Sequence, residues 1–89
     1  MAGRIRLCVV TAEETVLDRQ VDYVNIPTEF GSVGVLRGHA PMLCAVGKGV
    51  LRCTDGEESI RVALGEGVAC VENDELTILV SEAKKIDEQ

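Results

Sequence analysis

The chain has 89 residues, 46% of them hydrophobic and 27% charged, which suits one compact soluble domain and excludes disorder or a collagen-like repeat. At this size roughly 60–65% of the unfolded surface is buried, enough for a single modest core. Nine Lys and Arg against fifteen Asp and Glu give a net charge of −6, and only Tyr23 and Phe30 are aromatic, so neither a phosphate-neutralising stripe nor a base-stacking platform is present. An anionic membrane surface fits no better.

The predicted elements are short strands. MAGRIRLCVV lacks the basic, apolar and small-residue regions of a signal peptide and goes straight into a strand over residues 4–11, with Ile5, Leu7 and Val9 alternating with Arg6 and Cys8. Glu13 and Glu14 make a turn. A second short strand follows at Val16 and Leu17, and a third spans Val21, Tyr23 and Val24 to Ile26, stopped by Pro27. Further strands are expected at Val33–Leu36, Met42–Val46, Gly49–Thr54, Ser59–Ala63, Gly67–Glu72 and Leu76–Val80. Between them, Gly47-Lys48-Gly49, Asp55-Gly56, Gly65-Glu66-Gly67 and Glu72-Asn73-Asp74 are turn chemistry, with Asp55-Gly56 the strongest hairpin signal. No run reaches the ~20 apolar residues of a membrane helix. After Val80 the alternation stops. SEAKKIDEQ is rich in helix formers, and Ser81 is placed as a helix N-cap.

The expected architecture is therefore all-β: a two-sheet antiparallel β-sandwich of about nine to ten short strands over residues 1–81. Residues 82–89 form a tail in which a helix would start.

Candidate chemistry is thin. Cys8, Cys44, Cys53 and Cys70 contain no C-x-x-C pair, and one histidine is too few to complete a recognisable zinc spacing. They lie in or beside apolar runs, where thiols serve as small hydrophobes. The segment from Pro27 to Leu43 holds both prolines and the only His and Phe, and must be turns around one short strand. His39 lacks an obvious nucleophile or acid partner, and Gly31-Ser32-Val33-Gly34 is too short for a phosphate loop. Glu13-Glu14 and Glu57-Glu58 fall in turns, where solvated charge is the expected role rather than paired acid catalysis. No metal, cofactor or catalytic group is expected. Lys48, in its glycine turn, keeps open a lipoyl- or biotin-carrier domain; its neighbours are glycines rather than the Met or Asp-type residues that flank a modified lysine. A small β-barrel enzyme or ligand binder is a third reading.

Three runs carry a family resemblance: VVTAEETV at 9–16, VDYVNIPTEFGSVGVLRGHAPML at 21–43 and LGEGVACVENDELTILVSEA at 64–83. Together they resemble the N-terminal domain of the epsilon subunit of F-type ATP synthase, most specifically at Gly34-Val35-Leu36-x-Gly38-His39-Ala40-Pro41. The resemblance implies a non-catalytic rotor domain in the central stalk that joins the gamma subunit to the ring of c subunits and couples ion flow to ATP synthesis. It implies a place on the cytoplasmic face of the bacterial membrane, peripheral through the complex. Carried over residue by residue, the ring-facing loop nominates Glu29, Phe30, Ser32, Arg37 and His39. Ser32 stands where family members can carry an acid. The ring contact should be polar, and the gamma-facing side should carry exposed apolar or aromatic residues. The family's ATP-associated motif is matched only at its opening, Ile86-Asp87, so neither regulatory ATP nor an inhibitory helical hairpin is expected in this chain.

Overall fold

The computed structural model describes residues 3–86. Ten strands are present and, among the described residues, no helix: β1 Ile5–Val10, β2 Thr15–Val21, β3 Tyr23–Thr28, β4 Gly31–Val35, β5 Met42–Val46, β6 Gly49–Asp55, β7 Glu58–Leu64, β8 Gly67–Glu72, β9 Glu75–Val80 and β10 Ala83–Ile86. They form two five-stranded sheets. Sheet A has the order β2-β1-β9-β8-β5, and sheet B the order β10-β7-β6-β3-β4.

The alternation in the sequence fixes which side of each strand is buried. Ile5, Leu7 and Val9 of β1, Leu76, Ile78 and Val80 of β9, and Ala69 and Val71 of β8 face inward from sheet A. Val24, Ile26, Leu51, Cys53, Ile60, Val62 and Leu64 meet them from sheet B. The two inner faces form one core containing no buried polar or charged residue among those described. Branched aliphatic side chains on facing pleats fill such a space without leaving a polar atom unpaired.

The two-sheet, antiparallel-dominated sandwich of ten strands is as expected. One pairing within it is parallel: β1 runs alongside β9, with Leu7 opposite Leu76 and Val9 opposite Ile78. The N-terminal strand enters sheet A between β2 and β9, where both of its backbone edges are satisfied. Two local expectations need correction. Pro27 does not stop β3. Ladder contacts between β3 and β6 end at Asn25, so the missing N–H of Pro27 costs no bond to that neighbour, and the Pro27 carbonyl accepts from Gly47 N at 3.1 Å.

The tail is the largest departure. Residues 83–86, expected at the onset of a helix, are strand β10, antiparallel to β7 with Ala83 opposite Leu64 and Ile86 opposite Arg61. Ser81 donates its N–H to the Glu66 carbonyl at 2.9 Å, and the Glu82 carbonyl accepts from Gly65 at 2.8 Å. These bonds dock the chain onto the β7–β8 turn and aim it along the open edge of β7. A short helix would have to bear its nucleation cost alone, whereas the edge offers ready backbone partners. The remainder of the tail, residues 87–89, lies outside the described residues.

Turn chemistry follows the sequence closely. Gly56 (φ 64°) makes the β6–β7 hairpin, and Asn73 and Asp74, with φ of 53° and 59°, form the β8–β9 turn. Positive φ at both central residues is the type I′ pattern that matches strand twist.

Candidate docking surfaces

The strands carry the five nominated residues to opposite ends of the sandwich. Glu29 and Phe30 form the tip of the β3–β4 hairpin. There Thr28 Oγ1 accepts from Phe30 N at 3.2 Å and donates to the Gly31 carbonyl at 2.5 Å, a local cap that holds the tip open. Phe30 is 97% exposed, so packing within the described residues does not explain an aromatic there. Ser32 follows on β4, opposite Pro27 and exposed. The Gly47–Gly49 turn sits against this hairpin, so Lys48 shares the end with Phe30.

Arg37 and His39 lie beyond the far end of β4, about 15 Å away at roughly 3.3 Å per residue. Their loop is tied to the β8–β9 turn: Gly38 N donates to Asp74 Oδ1 at 2.7 Å, and Arg37 Nε lies 3.5 Å from Asp74 Oδ2. His39 closes a turn through its N–H to the Leu36 carbonyl at 3.1 Å, and its Nδ1 lies 2.6 Å from the Ala40 carbonyl. No nucleophile or acid meets the ring among the described residues, which leaves general-base chemistry without its partner. The structure thus groups Glu29, Phe30 and Ser32, and separates Arg37 and His39 from them.

A surface missed in the sequence lies on the outer face of sheet A. Val10, Leu79, Val68 and Ala45 are successive cross-strand partners from β1 through β9 and β8 to β5. The next row is Cys8, Thr77, Cys70 and Leu43. Leu43 is 74% exposed, Leu79 51% and Val68 44%. The patch continues into a shallow groove of about 300 Å³ at the β5 edge, lined by Pro41, Met42, Leu43, Cys70, Val71 and Glu72. Contiguous apolar surface of this kind is a feature of interaction sites. The signal was present: Met42-Leu43-Cys44 and Ile78-Leu79-Val80 are apolar at consecutive positions, so both sides of those strands are hydrophobic.

The other end of that face is ionic. Arg6 holds Asp18 at 2.9 Å and Glu75 at 3.0 Å, and its guanidinium keeps the Asp18 carboxyl below the usual carboxylate range. A second network crosses between the sheets. Arg4 pairs with Asp22 and Asp55, and Arg19 of β2 pairs with Asp55 and Glu58 of sheet B. Hydrogen bonding from Arg19, then from Arg4, likewise lowers the Asp55 carboxyl. Glu57 and Glu58 therefore do not face each other as an acid pair; Glu58 belongs to this network.

The cysteines fit structural roles. All four lie in strands, Cys53 buried and Cys44 packed against the core, while Cys8 and Cys70 face outward on sheet A. Burial pushes the Cys53 thiol up to about 11 and raises Cys8 as well, which suppresses the reactive thiolate. No group of three or more metal-ligating side chains converges among the described residues. Lys48 is exposed, but its turn is packed onto Thr28 and Glu29 rather than projecting as a carrier hairpin.

The described residues thus form a ten-stranded, two-sheet sandwich with an apolar outer sheet face and a hairpin end where Glu29 and Ser32 flank the exposed Phe30. Residues 4–86 match the family of ATP synthase delta/epsilon chain β-sandwich domains, and the chain belongs to that family. It is 43% identical over 79 residues to the ATP synthase epsilon chain of Cyanothece sp., covering 89% of this chain and 57% of the relative. To the chloroplastic epsilon chain of Piper cenocladum it is 38% identical over 81 residues, covering 91% and 61%. Among solved structures, it superposes with a TM-score of 0.89 and 26% identity on a chain of the Euglena gracilis mitochondrial ATP synthase, covering 98% of this chain and 58% of that one. A chain of the Tetrahymena thermophila mitochondrial ATP synthase central stalk and c-ring shares the fold at a TM-score of 0.76 and 14% identity. The chain spans about three-fifths of the length of these relatives.

Proposed function

We propose that this domain is a non-catalytic rotor element of the ATP synthase central stalk, joining the gamma subunit to the c-ring so that ion translocation drives ATP synthesis. The observation that carries the reading is the separation of two unlike surfaces on one rigid sandwich. The apolar outer face of sheet A suits a permanent, largely dry contact with gamma. The hairpin end, where Glu29, Ser32 and Lys48 surround Phe30, suits the wetter contact expected of ring loops. Glu29, Phe30 and Ser32 are assigned to the ring. Arg37 and His39, whose loop leads through Pro41 into the apolar groove, are assigned to the gamma side. Such a part transmits torque by stiffness and needs no reacting group, and the continuous aliphatic core supports that role. Membrane association would then be peripheral, through the complex, on the cytoplasmic face in a bacterial cell. Co-expression with gamma, followed by size-exclusion chromatography, tests the reading. Co-elution as a stoichiometric complex is expected, and a domain that elutes alone would overturn it.

A further inference from the structure

Asp55-Gly56, the strongest hairpin signal in the chain, is also its only Asp-Gly or Asn-Gly pair. The property that suits the pair to a turn makes it chemically labile. Gly56 has no Cβ, so its backbone nitrogen is unhindered and can attack the side-chain carboxyl of Asp55. Bulk around the turn gives no shield: Gly56 has φ 64°, and its chain neighbours aside, nothing lies within 4 Å of where a Cβ would stand. Both reacting groups are nevertheless engaged. Gly56 N donates to Asp22 Oδ2 at 2.7 Å. Asp22 is itself fixed, by its own N–H to the Thr54 carbonyl at 2.7 Å and by Arg4 Nε at 3.5 Å from Oδ1. On Asp55, Oδ1 is held by Arg4 Nη2 and Oδ2 by Arg19 Nη2 at 2.5 Å. Each guanidinium is anchored at a further point, Arg4 on the Gln20 carbonyl at 2.8 Å and Arg19 on Glu58 at 3.1 Å.

We propose that Asp55-Gly56 is a latent modification site for isoaspartate formation, kept closed in the folded chain by a bracket of Asp22, Arg4 and Arg19. The reaction begins when the Gly56 nitrogen attacks Cγ of a protonated Asp55 carboxyl. A C–N bond forms, a Cγ–O bond breaks, and the departing oxygen takes the amide proton away with it as water. Water then opens the succinimide ring at either carbonyl. Opening at the α-carbonyl leaves the chain running through Cγ, with no net change in mass and no oxidant or cofactor. The bracket opposes both partners in the first step. Asp22 engages the amide proton that must be lost, and its negative charge disfavours a nitrogen anion beside it. Arg19, and after it Arg4, favour the carboxylate, which cannot leave as water, and occupy both of its oxygens. Isomerisation would lengthen the backbone by one methylene at the β6–β7 turn and draw the carboxylate onto the backbone, away from Arg4 and Arg19. The network that links the two sheets would lose its centre.

The test is a prolonged incubation of the whole chain at neutral pH, well below its melting temperature, followed by trypsin. The tryptic peptide 53–61 contains no other Asp or Asn. Its aspartyl and isoaspartyl forms have equal mass, separate by chromatography and are assigned by electron-transfer fragmentation. The parent chain in guanidinium chloride sets the unprotected rate, and the folded parent should react at least about tenfold more slowly. Asp22→Ala and Arg19→Ala, each folded by circular dichroism, should react at least about fivefold faster than the folded parent. Asp22→Asn, which keeps an acceptor for Gly56 N, should fall between Asp22→Ala and the parent. Ile78→Ala is destabilised but retains the bracket, so at temperatures where it is folded it should react as slowly as the parent. A folded parent that reacts as fast as the denatured chain would overturn the proposal. So would bracket variants no faster than the parent, or Ile78→Ala reacting as fast as they do.

Discussion

Phe30 and Ile78 are large apolar residues with opposite duties. Ile78 is fully buried at the centre of sheet A's inner face, whereas Phe30 stands in solvent on a capped hairpin. Replacing Ile78 with Ala should cost about 2–5 kcal/mol in chemical denaturation, through lost burial plus a cavity. Replacing Phe30 with Ala should change stability by less than about 0.5 kcal/mol, since its ring is left in solvent. A large exposed aromatic without a stabilising role is free to serve a partner. Asp55 gives a pH test at the same scale. Its carboxyl titrates below its ordinary value because Arg19 and Arg4 hold the ionised form. That stabilisation is present above the unfolded-state value near 4 and is lost as the pH falls through the lowered folded value. The melting temperature should therefore drop on acidification below about pH 4, and Asp55→Asn should both lower it at neutral pH and shrink the acid-induced drop. If the Asp55→Asn variant kept an unchanged acid limb, Asp55 would not be the group responsible.

At the scale of elements, the sequence was legible wherever one face of a strand is wet. β1, β6 and β7 alternate cleanly, and their inward residues are those the pattern selects. The hairpin turns at Gly56 and at Asn73-Asp74 were readable because positive φ restricts the residues that fit. Three features were hidden. The parallel β1–β9 pairing joins residues about 70 apart in the chain, and no local pattern encodes it. β10 resembles a helix start because Glu, Ala and Lys favour helices, and the vacant β7 edge overrides that preference. The five nominated contact residues looked like one loop because they are close in sequence, yet five residues of extended β4 carry them to opposite ends. β10 offers its own test. Removing residues 82–89 should bare the β7 edge, and light scattering should then report self-association that the whole chain does not show. A truncated chain that stays monomeric and equally stable would mean that β10 contributes little.

For the molecule as a whole, the chemistry is distributed over surfaces rather than gathered in a pocket. The core is continuous and aliphatic, sheet A shows an apolar outer face, and the β3–β4 hairpin presents an exposed Phe30 flanked by Glu29 and Ser32. That division is what the proposed role between two partners would require. The proposed roles separate cleanly in one measurement, the affinity for the gamma subunit of the parent chain, of Leu79→Asp and of Phe30→Asp. Both positions are exposed, so neither substitution should disturb the core. Leu79→Asp, placed in the centre of the apolar rows, should lose at least about tenfold in affinity, and Phe30→Asp should bind as the parent does. Equal affinities for the parent and Leu79→Asp, or a loss confined to Phe30→Asp, would contradict the assignment of sheet A to gamma.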